Sequence, residues 1–261
     1  MSAALAFDGA EIAPAELERR IACAASGFER LGIREGDVVA LMLRNSPAFI
    51  EAMLACRRLG VYYCPINWHF KADEAGFILR DSGARALVVH ADLLAQIEAG
   101  LPSGLPIVTV DPGWSAWRDA HEPWHGAPRP PRANMPYTSG TTGRPKGVRR
   151  APPTEKQRAL ALALYRTVLG LEPGMRAFVS APLYHSAPNL YALHVALADP
   201  EVLEAARRAG DAPLELGRRD LLTARFAAKG ERGAHSGQRR CAGRSSSTTR
   251  ARRSTPASSK R

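Results

Sequence analysis

Residues Tyr137 to Val148 read YTSGTTGRPKGV, which places three glycines, four serine or threonine hydroxyls, an arginine and a lysine in twelve positions. A run of backbone N–H groups on a tight turn makes a concave anion site, and glycine is needed where φ is positive or where the chain must approach a phosphate closely. Gly140, Gly143 and Gly147 meet that need. Thr138, Ser139, Thr141 and Thr142 add hydroxyl donors, and Lys146 adds a mobile ammonium. Each charge-assisted contact of this kind contributes about 1.5–3 kcal/mol. The residue types therefore predict a grip on a polyphosphate. The loop is not the familiar G-x-x-x-x-G-K-[ST] phosphate loop, because position 145 is proline and Lys146 is followed by glycine, and no G-x-G-x-x-G is present for a dinucleotide. A flexible linker accounts for glycine and threonine but not for the Arg-Pro-Lys-Gly ending.

The elements that must position this loop follow from periodicity. Leu17, Ile21, Ala24, Phe28 and Leu31 recur at spacings of three and four, which predicts a helix that Gly32 closes. Asp37 to Leu43 (DVVALML) is a buried strand by composition. Ser46-Pro47 supplies an N-cap and a first-turn proline for a second helix carrying Ile50, Met53 and Leu54 and ending at Gly60. VYYCPI is the next strand, Ala72 to Arg80 a third helix, Arg85 to His90 (RALVVH) a strand, and Pro106 to Val110 (PIVTV) another after a short helix. Such alternation predicts a layered α/β fold with a largely parallel sheet. Asp111 to Arg132 breaks the rhythm with prolines and Trp114, Trp117 and Trp124, and reads as a surface connection whose aromatics pack on the body. Beyond the loop, Glu155 to Leu171 reads as a helix, Arg176 to Tyr184 as a strand, and Asn189 to Ala198 as the start of a further helix.

Charge is unevenly spread. Of 36 basic and 25 acidic residues, 221–261 hold eleven of the bases and one acid, Glu231, so the remaining 220 residues, with 25 bases and 24 acids, carry +1 of the total +11. The excess belongs to a tail, 223–261, whose low-complexity SSSTTRARRSTPASSKR cannot bury enough surface to offset ordering entropy, and it is expected to be disordered. Without interleaved aromatics it offers a poor platform for nucleic acid, and no specific nucleic-acid partner is expected. Cys23, Cys56, Cys64 and Cys241 have no metal-like or C-x-x-C spacing and read as free thiols. Asp8 and Glu11 precede the first basic residue, no apolar run approaches the ~20 residues a membrane span needs, and a reducing, cytoplasmic setting is expected.

YTSGTTGRPKGV resembles the phosphate-loop signature of the AMP-forming adenylating enzymes, the superfamily of acyl-CoA synthetases, luciferases and peptide adenylation domains. APLYHSAPN, Ala181 to Asn189, resembles the next motif of that superfamily and is worded as in bacterial fatty-acyl-CoA synthetases. LGIREGDVVALMLRNSPAFIEAMLACRRLGVYYCPIN is similar to the opening of such ligases, and the likeness covers roughly residues 10 to 198. The resemblance implies a carboxylic acid, a fatty acid by the wording of the motif, attacking ATP to give acyl-adenylate and pyrophosphate, with coenzyme A then displacing AMP. It implies Mg2+ alongside ATP, a phosphate-binding role for Thr138, Ser139, Gly140, Thr141, Thr142, Gly143 and Lys146, and an acyl or adenylate pocket bordered by Tyr184 and His185.

The likeness fades near Ala198. The family's Tyr-Gly-x-Thr-Glu adenine motif is missing, since no tyrosine follows Tyr191, and Lys229 and Lys260 lie in unpatterned sequence unlike that around the family's lid lysine. The expected organisation is an incomplete adenylation domain over 1–198, a divergent segment over 199–222 and the basic tail over 223–261. An Arg/Ala/Gly/Ser-dominated end is what a GC-rich gene yields out of frame, so a truncated or frameshifted ligase, inactive by itself but retaining the loop, is expected. The alternative is a regulatory protein that binds nucleotide or acyl group without turnover.

Overall fold

A strand covered on both faces needs apolar side chains at successive positions, and Val-Val-Ala-Leu-Met is such a run. The computed structural model describes residues 5–138, 145–169, 177–179, 181–193 and 214–216. In chain order its elements are β1 (Leu5–Phe7), β2 (Ala10–Ile12), α1 (Pro14–Arg30), β3 (Val38–Met42), α2 (Pro47–Arg58), β4 (Tyr62–Pro65), α3 (Ala72–Asp81), β5 (Ala84–His90), α4 (Ala91–Ile97), β6 (Ile107–Val110) and α5 (Trp114–Asp119). There follow β7 (Tyr137–Thr138), β8 (Lys146–Gly147), α6 (Glu155–Leu169), β9 (Ala177–Val179), α7 (Ser186–Ala192) and β10 (Leu214–Leu216).

The main sheet is parallel, in the order β4-β3-β5-β6. All five residues of β3 are buried, and their alternation sorts them between two cores. Val39 and Leu41 join Ile21 and Phe28 of α1, Phe49 and Met53 of α2 and Trp114 of α5. Val38, Ala40 and Met42 join Ile78 and Leu79 of α3 and Leu93 and Ile97 of α4. Helices thus cover both faces, the layered α/β arrangement that the periodicity predicts.

The helix ends follow local rules. Gly32, at φ 82°, lets Ile33 N–H reach Phe28 C=O at 3.1 Å, and Gly60, at φ 64°, lets Val61 N–H reach Cys56 C=O at 2.8 Å. Both are left-handed closures that satisfy the last carbonyls of a helix. Ser46 caps α2, its Oγ accepting from Phe49 N–H at 3.4 Å, with Pro47 in the first turn.

Several expectations need correction. The sequence reading has no strand ahead of α1, yet β1 and β2 pair antiparallel around Asp8-Gly9, both at positive φ. Asp-Gly between short apolar runs is the signal for such a hairpin. Asp111 to Arg132 is not purely irregular, because Trp114–Asp119 is helical and Trp114 is buried, while Trp117 and Trp124 pack against the α1 core. Phe28 meets Trp114 and Trp117 at ring separations of 6.4 and 5.4 Å, so these aromatics serve the body. Of the strand expected from Arg176 to Tyr184, Ala177–Val179 is strand, Arg176 and Ser180 lie outside the described residues, and the chain turns after Pro182 so that α7 starts at Ser186. In the 199–222 segment, Leu214–Leu216 pairs in parallel with both β1 and β9, giving a second sheet β2-β1-β10-β9. The rest of that segment and the 223–261 tail, with Cys241, lie outside the described residues. Cys23, Cys56 and Cys64 are buried free thiols. Among the described residues no helix is long and apolar enough to cross a membrane.

Candidate active site

The glycine-rich segment is carried by a hairpin. Tyr137 pairs with Gly147 and Thr138 with Lys146, so the strands β7 and β8 bracket residues 139–145, and Val148 N–H closes on Pro136 C=O at 3.1 Å. Thr138 and Lys146 are thus strand residues facing one another, where the sequence reading has loop, and both are exposed. Ser139, Gly140, Thr141, Thr142 and Gly143 lie outside the described residues. Gly147 is not at positive φ, so of the two reasons for glycine the turn conformation does not apply to it. A Cβ there would lie 2.7 Å from Met135 Cε and 2.8 Å from Tyr137 Cζ, so close approach of the Tyr137 ring requires the glycine.

That ring also ties the hairpin to α3. Tyr137 donates its hydroxyl hydrogen to Asp81 Oδ2 at 2.6 Å and meets Phe77 edge-on at 6.5 Å. Burial, together with the Asp81 hydrogen bond, pushes the phenol above its ordinary range. Downstream, Tyr62 of β4 donates to Arg150 C=O at 2.7 Å, and the guanidiniums of Arg132 and Arg149 lie 5.1 and 5.0 Å from the centre of its ring. Lys146, Arg149 and Arg150 make the segment leaving the hairpin cationic.

The second motif is held by side-chain amides. Asn45, in the turn between β3 and α2, donates Nδ2 to Ala181 C=O at 3.0 Å and accepts Leu183 N–H on Oδ1 at 2.8 Å. Asn189 of α7 is buried, donates to Leu183 C=O at 3.0 Å and accepts the Tyr63 hydroxyl at 2.8 Å. Two amides therefore grip the backbone just ahead of Tyr184 and His185. His185 N–H reaches Pro182 C=O at 3.1 Å, and its exposed ring lies 4.3 Å from that of Tyr184.

Strand β4 serves both regions. It forms the sheet's edge, extended by a bridge from Tyr63 to Asn134, with Met135 N–H on Tyr63 C=O at 2.8 Å. Consecutive strand side chains point to opposite faces, so Tyr62 holds the segment leaving the hairpin while Tyr63, through Asn189, holds the His185 turn. Asn45 follows β3, whose neighbours β4 and β5 diverge across the point where strand order reverses; the crevice outside the carboxyl ends there is where open α/β sheets bind ligands. Beside it Arg44 makes a two-point ion pair with Asp92 at 2.9 and 2.7 Å, its N–H donates to His90 Nδ1 at 3.3 Å, and burial lowers the His90 pKa.

Residues 2–199 match the family model for AMP-binding enzymes. The chain belongs to the AMP-binding enzyme family. This member is 33% identical over 187 residues to a feruloyl-CoA synthase from Amycolatopsis sp, covering 70% of this chain and 36% of that protein. It is 32% identical over 152 residues to a fatty acid–[acyl-carrier-protein] ligase from Streptomyces coeruleorubidus, covering 56% and 29%. The chain thus spans about a third of the length of the curated relatives it matches. Its fold is similar to that of O-succinylbenzoate coenzyme A synthetase from Bacillus subtilis, solved with AMP, at a TM-score of 0.64 and 21% identity over 83% of this chain and 53% of that one.

For the Mg2+ that the family implies, no group of three or more His, Cys, Asp or Glu side chains among the described residues gathers to hold a metal ion. Mg2+ at phosphate sites is commonly held by one or two carboxylates and the substrate's own phosphates, so no described residue is assigned to it. The two motifs stand out in the sequence by residue type and spacing, whereas Asn45, Tyr62, Tyr63 and Asp81 belong to no such motif. Asn45 could have been found from its place at the carboxyl end of the central strand, just before the Ser46 cap.

Proposed function

We propose that this chain supplies the ATP-phosphate grip and part of the acyl pocket for an acyl-CoA synthetase-type reaction, with a carboxylic acid, a fatty acid on the wording of APLYHSAPN, as substrate. The observation that carries the reading is the hairpin: within the family match it brings exposed Lys146 opposite exposed Thr138 at the mouth of the Gly/Thr/Ser segment. In the reaction the family performs, a carboxylate oxygen bonds to the α-phosphorus of ATP as the bond to the bridging oxygen breaks, releasing pyrophosphate. The thiolate of coenzyme A then bonds to the acyl carbon and AMP leaves. Both steps bring anions together, so neutralisation and positioning supply much of the rate. Lys146 and the 139–143 hydroxyl and N–H donors would hold the β- and γ-phosphates, while Tyr184 and His185 border the acyl side. Three buried free thiols and nucleotide chemistry suit a cytoplasmic setting.

The test is nucleotide binding. Lys146→Ala should weaken ATP relative to AMP by about 1.5–3 kcal/mol, the contribution of one charge-assisted contact; equal weakening of both would refute the phosphate role. No Tyr-Gly-x-Thr-Glu motif is present for adenine, so GTP and tripolyphosphate should compete almost as well as ATP. Pyrophosphate release by these 261 residues with fatty and aromatic acids should be undetectable, and robust turnover would show that the chain carries further catalytic groups.

A further inference from the structure

We propose that Asn45, Tyr63 and Asn189 are positioning residues that set the Tyr184-His185 turn for its acyl-adenylate ligand, an inference that rests on the acyl-pocket reading above. Three observations converge on three backbone groups. Asn45 uses both ends of its amide, one on Ala181 C=O and one on Leu183 N–H, across 136 and 138 residues of sequence. Asn189 takes Leu183 C=O, so both backbone polar groups of Leu183 are held by side chains. Tyr63 fixes which way the Asn189 amide faces, since its hydroxyl donates to Oδ1 and leaves Nδ2 aimed at Leu183.

The economy of the arrangement points to positioning. Leu183 is fully buried and needs a partner for its N–H, but a strand or helix could supply one. Instead the chain turns at Pro182 and enters a helix at Ser186, and the backbone of Ala181 and Leu183 is held by Asn45 from the β3–α2 turn and by Asn189 of α7, with Tyr63 of β4 behind Asn189. The turn that results ends in the exposed His185 ring beside Tyr184, and none of the three holding side chains reaches out with it. Asn45, Tyr63 and Asn189 act through Leu183 and do not themselves need to touch ligand. The Tyr63 side chain is fully buried on the face of β4 opposite Tyr62, so its hydroxyl serves this turn while Tyr62 holds the segment leaving the hairpin.

The experiment uses the full chain and two probes: benzoyl-sulfamoyladenosine, a stable mimic of an acyl-adenylate, and tripolyphosphate. Asn45→Ala and Tyr63→Phe should each weaken the adenylate mimic by about tenfold, the loss expected for one or two buried hydrogen bonds, while tripolyphosphate binding stays within about twofold. Asn45→Asp, which keeps the acceptor for Leu183 N–H and loses the donor to Ala181, should fall between Asn45→Ala and the parent chain. Ile78→Val, in the other core, controls for general loss of stability and should leave the ratio of the two affinities unchanged. Equal weakening of both probes, or a mimic affinity untouched by Asn45→Ala, overturns the proposal. Amide hydrogen exchange at Leu183 is read without any ligand: Asn45→Ala should speed it more than it speeds exchange in β3, and unchanged Leu183 protection overturns the clamp itself. If the parent chain binds tripolyphosphate but not the mimic, the acyl-pocket reading fails while the exchange result still decides the clamp.

Discussion

A methyl group at position 147 would lie 2.7 Å from Met135 Cε and 2.8–2.9 Å from the Tyr137 ring. The methionine end can swing aside, but the ring is held by its hydrogen bond to Asp81. Gly147→Ala should therefore push Tyr137 off α3, with a cost of about 1–3 kcal/mol, as for overpacking elsewhere. Release from Asp81 should bring the Tyr137 phenol titration down toward its ordinary value of 10.0, because the carboxylate opposes phenolate formation and its removal relieves that opposition. Ultraviolet pH titration checks this, and a phenol that stays raised would contradict the contact. Residue types alone carry the proposed polyphosphate grip, since Gly, Thr and Lys at these spacings bear on what such a loop could bind. They could not disclose why Gly147 is glycine. That reason is a ring arriving across the hairpin, and no local pattern encodes it.

Helices α1, α2 and α3 were legible because each buries one face, and the spacing of their apolar residues records it. α5 was not. It is six residues long, too short to stand without tertiary support, and its anchor is a charge on another helix: Glu51 of α2 accepts Trp114 Nε1–H at 2.5 Å and pairs with Arg118 at 2.8 Å, with Arg20 of α1 at 3.5 Å. Glu51 and Arg118 are 0% and 3% exposed. Nothing in EAMLACRR marks this glutamate as buried rather than solvated. Glu51→Ala leaves the Arg118 charge buried with only Asp119 beside it at 2.6 Å, so the loss should be about 3 kcal/mol, toward the lower end for a broken buried pair. Replacing both partners with apolar residues, Glu51→Leu with Arg118→Met, should recover part of that loss. Urea unfolding measures both, and a double variant no more stable than Glu51→Ala would argue that the indole hydrogen bond outweighs the ion pair.

Across the whole molecule, the titrating groups divide into two sets that bound stability from opposite sides. On the acid side, burial lowers His90 below its ordinary 6.5, although Asp111, at 3.6 Å, pulls the other way. Hydrogen bonds from Arg19 and Arg20 lower Glu16 from 4.5 to about 2, Arg44 lowers Asp92 below 3.8, and Arg118 does the same for Asp119. All four hold fewer protons folded than unfolded, so each contributes stability that is complete above its unfolded value and fades as pH falls through its folded one. The carboxylate contributions are small, because Glu16, Asp92 and Asp119 are themselves at least a third exposed and solvent screens them. On the alkaline side, burial raises Cys56, raises Cys64 from 9.0 to about 12, raises Tyr191 from 10.0 to about 12, and raises Tyr63. These groups hold more protons folded, so their contribution is complete below the unfolded values and fades as pH rises through the folded ones. Stability should form a plateau between about pH 6.5 and 9, as set by His90 below and the thiols above. Because His90 has the highest unfolded value in the acid set, the first decline below 6.5 belongs to it and the carboxylates enter only below 4.5. Urea midpoints measured against pH should show that slope, and His90→Gln should abolish it between pH 6.5 and 4.5 while leaving the alkaline limb in place. A slope that persists in the variant would mean that a group other than His90 takes up the proton.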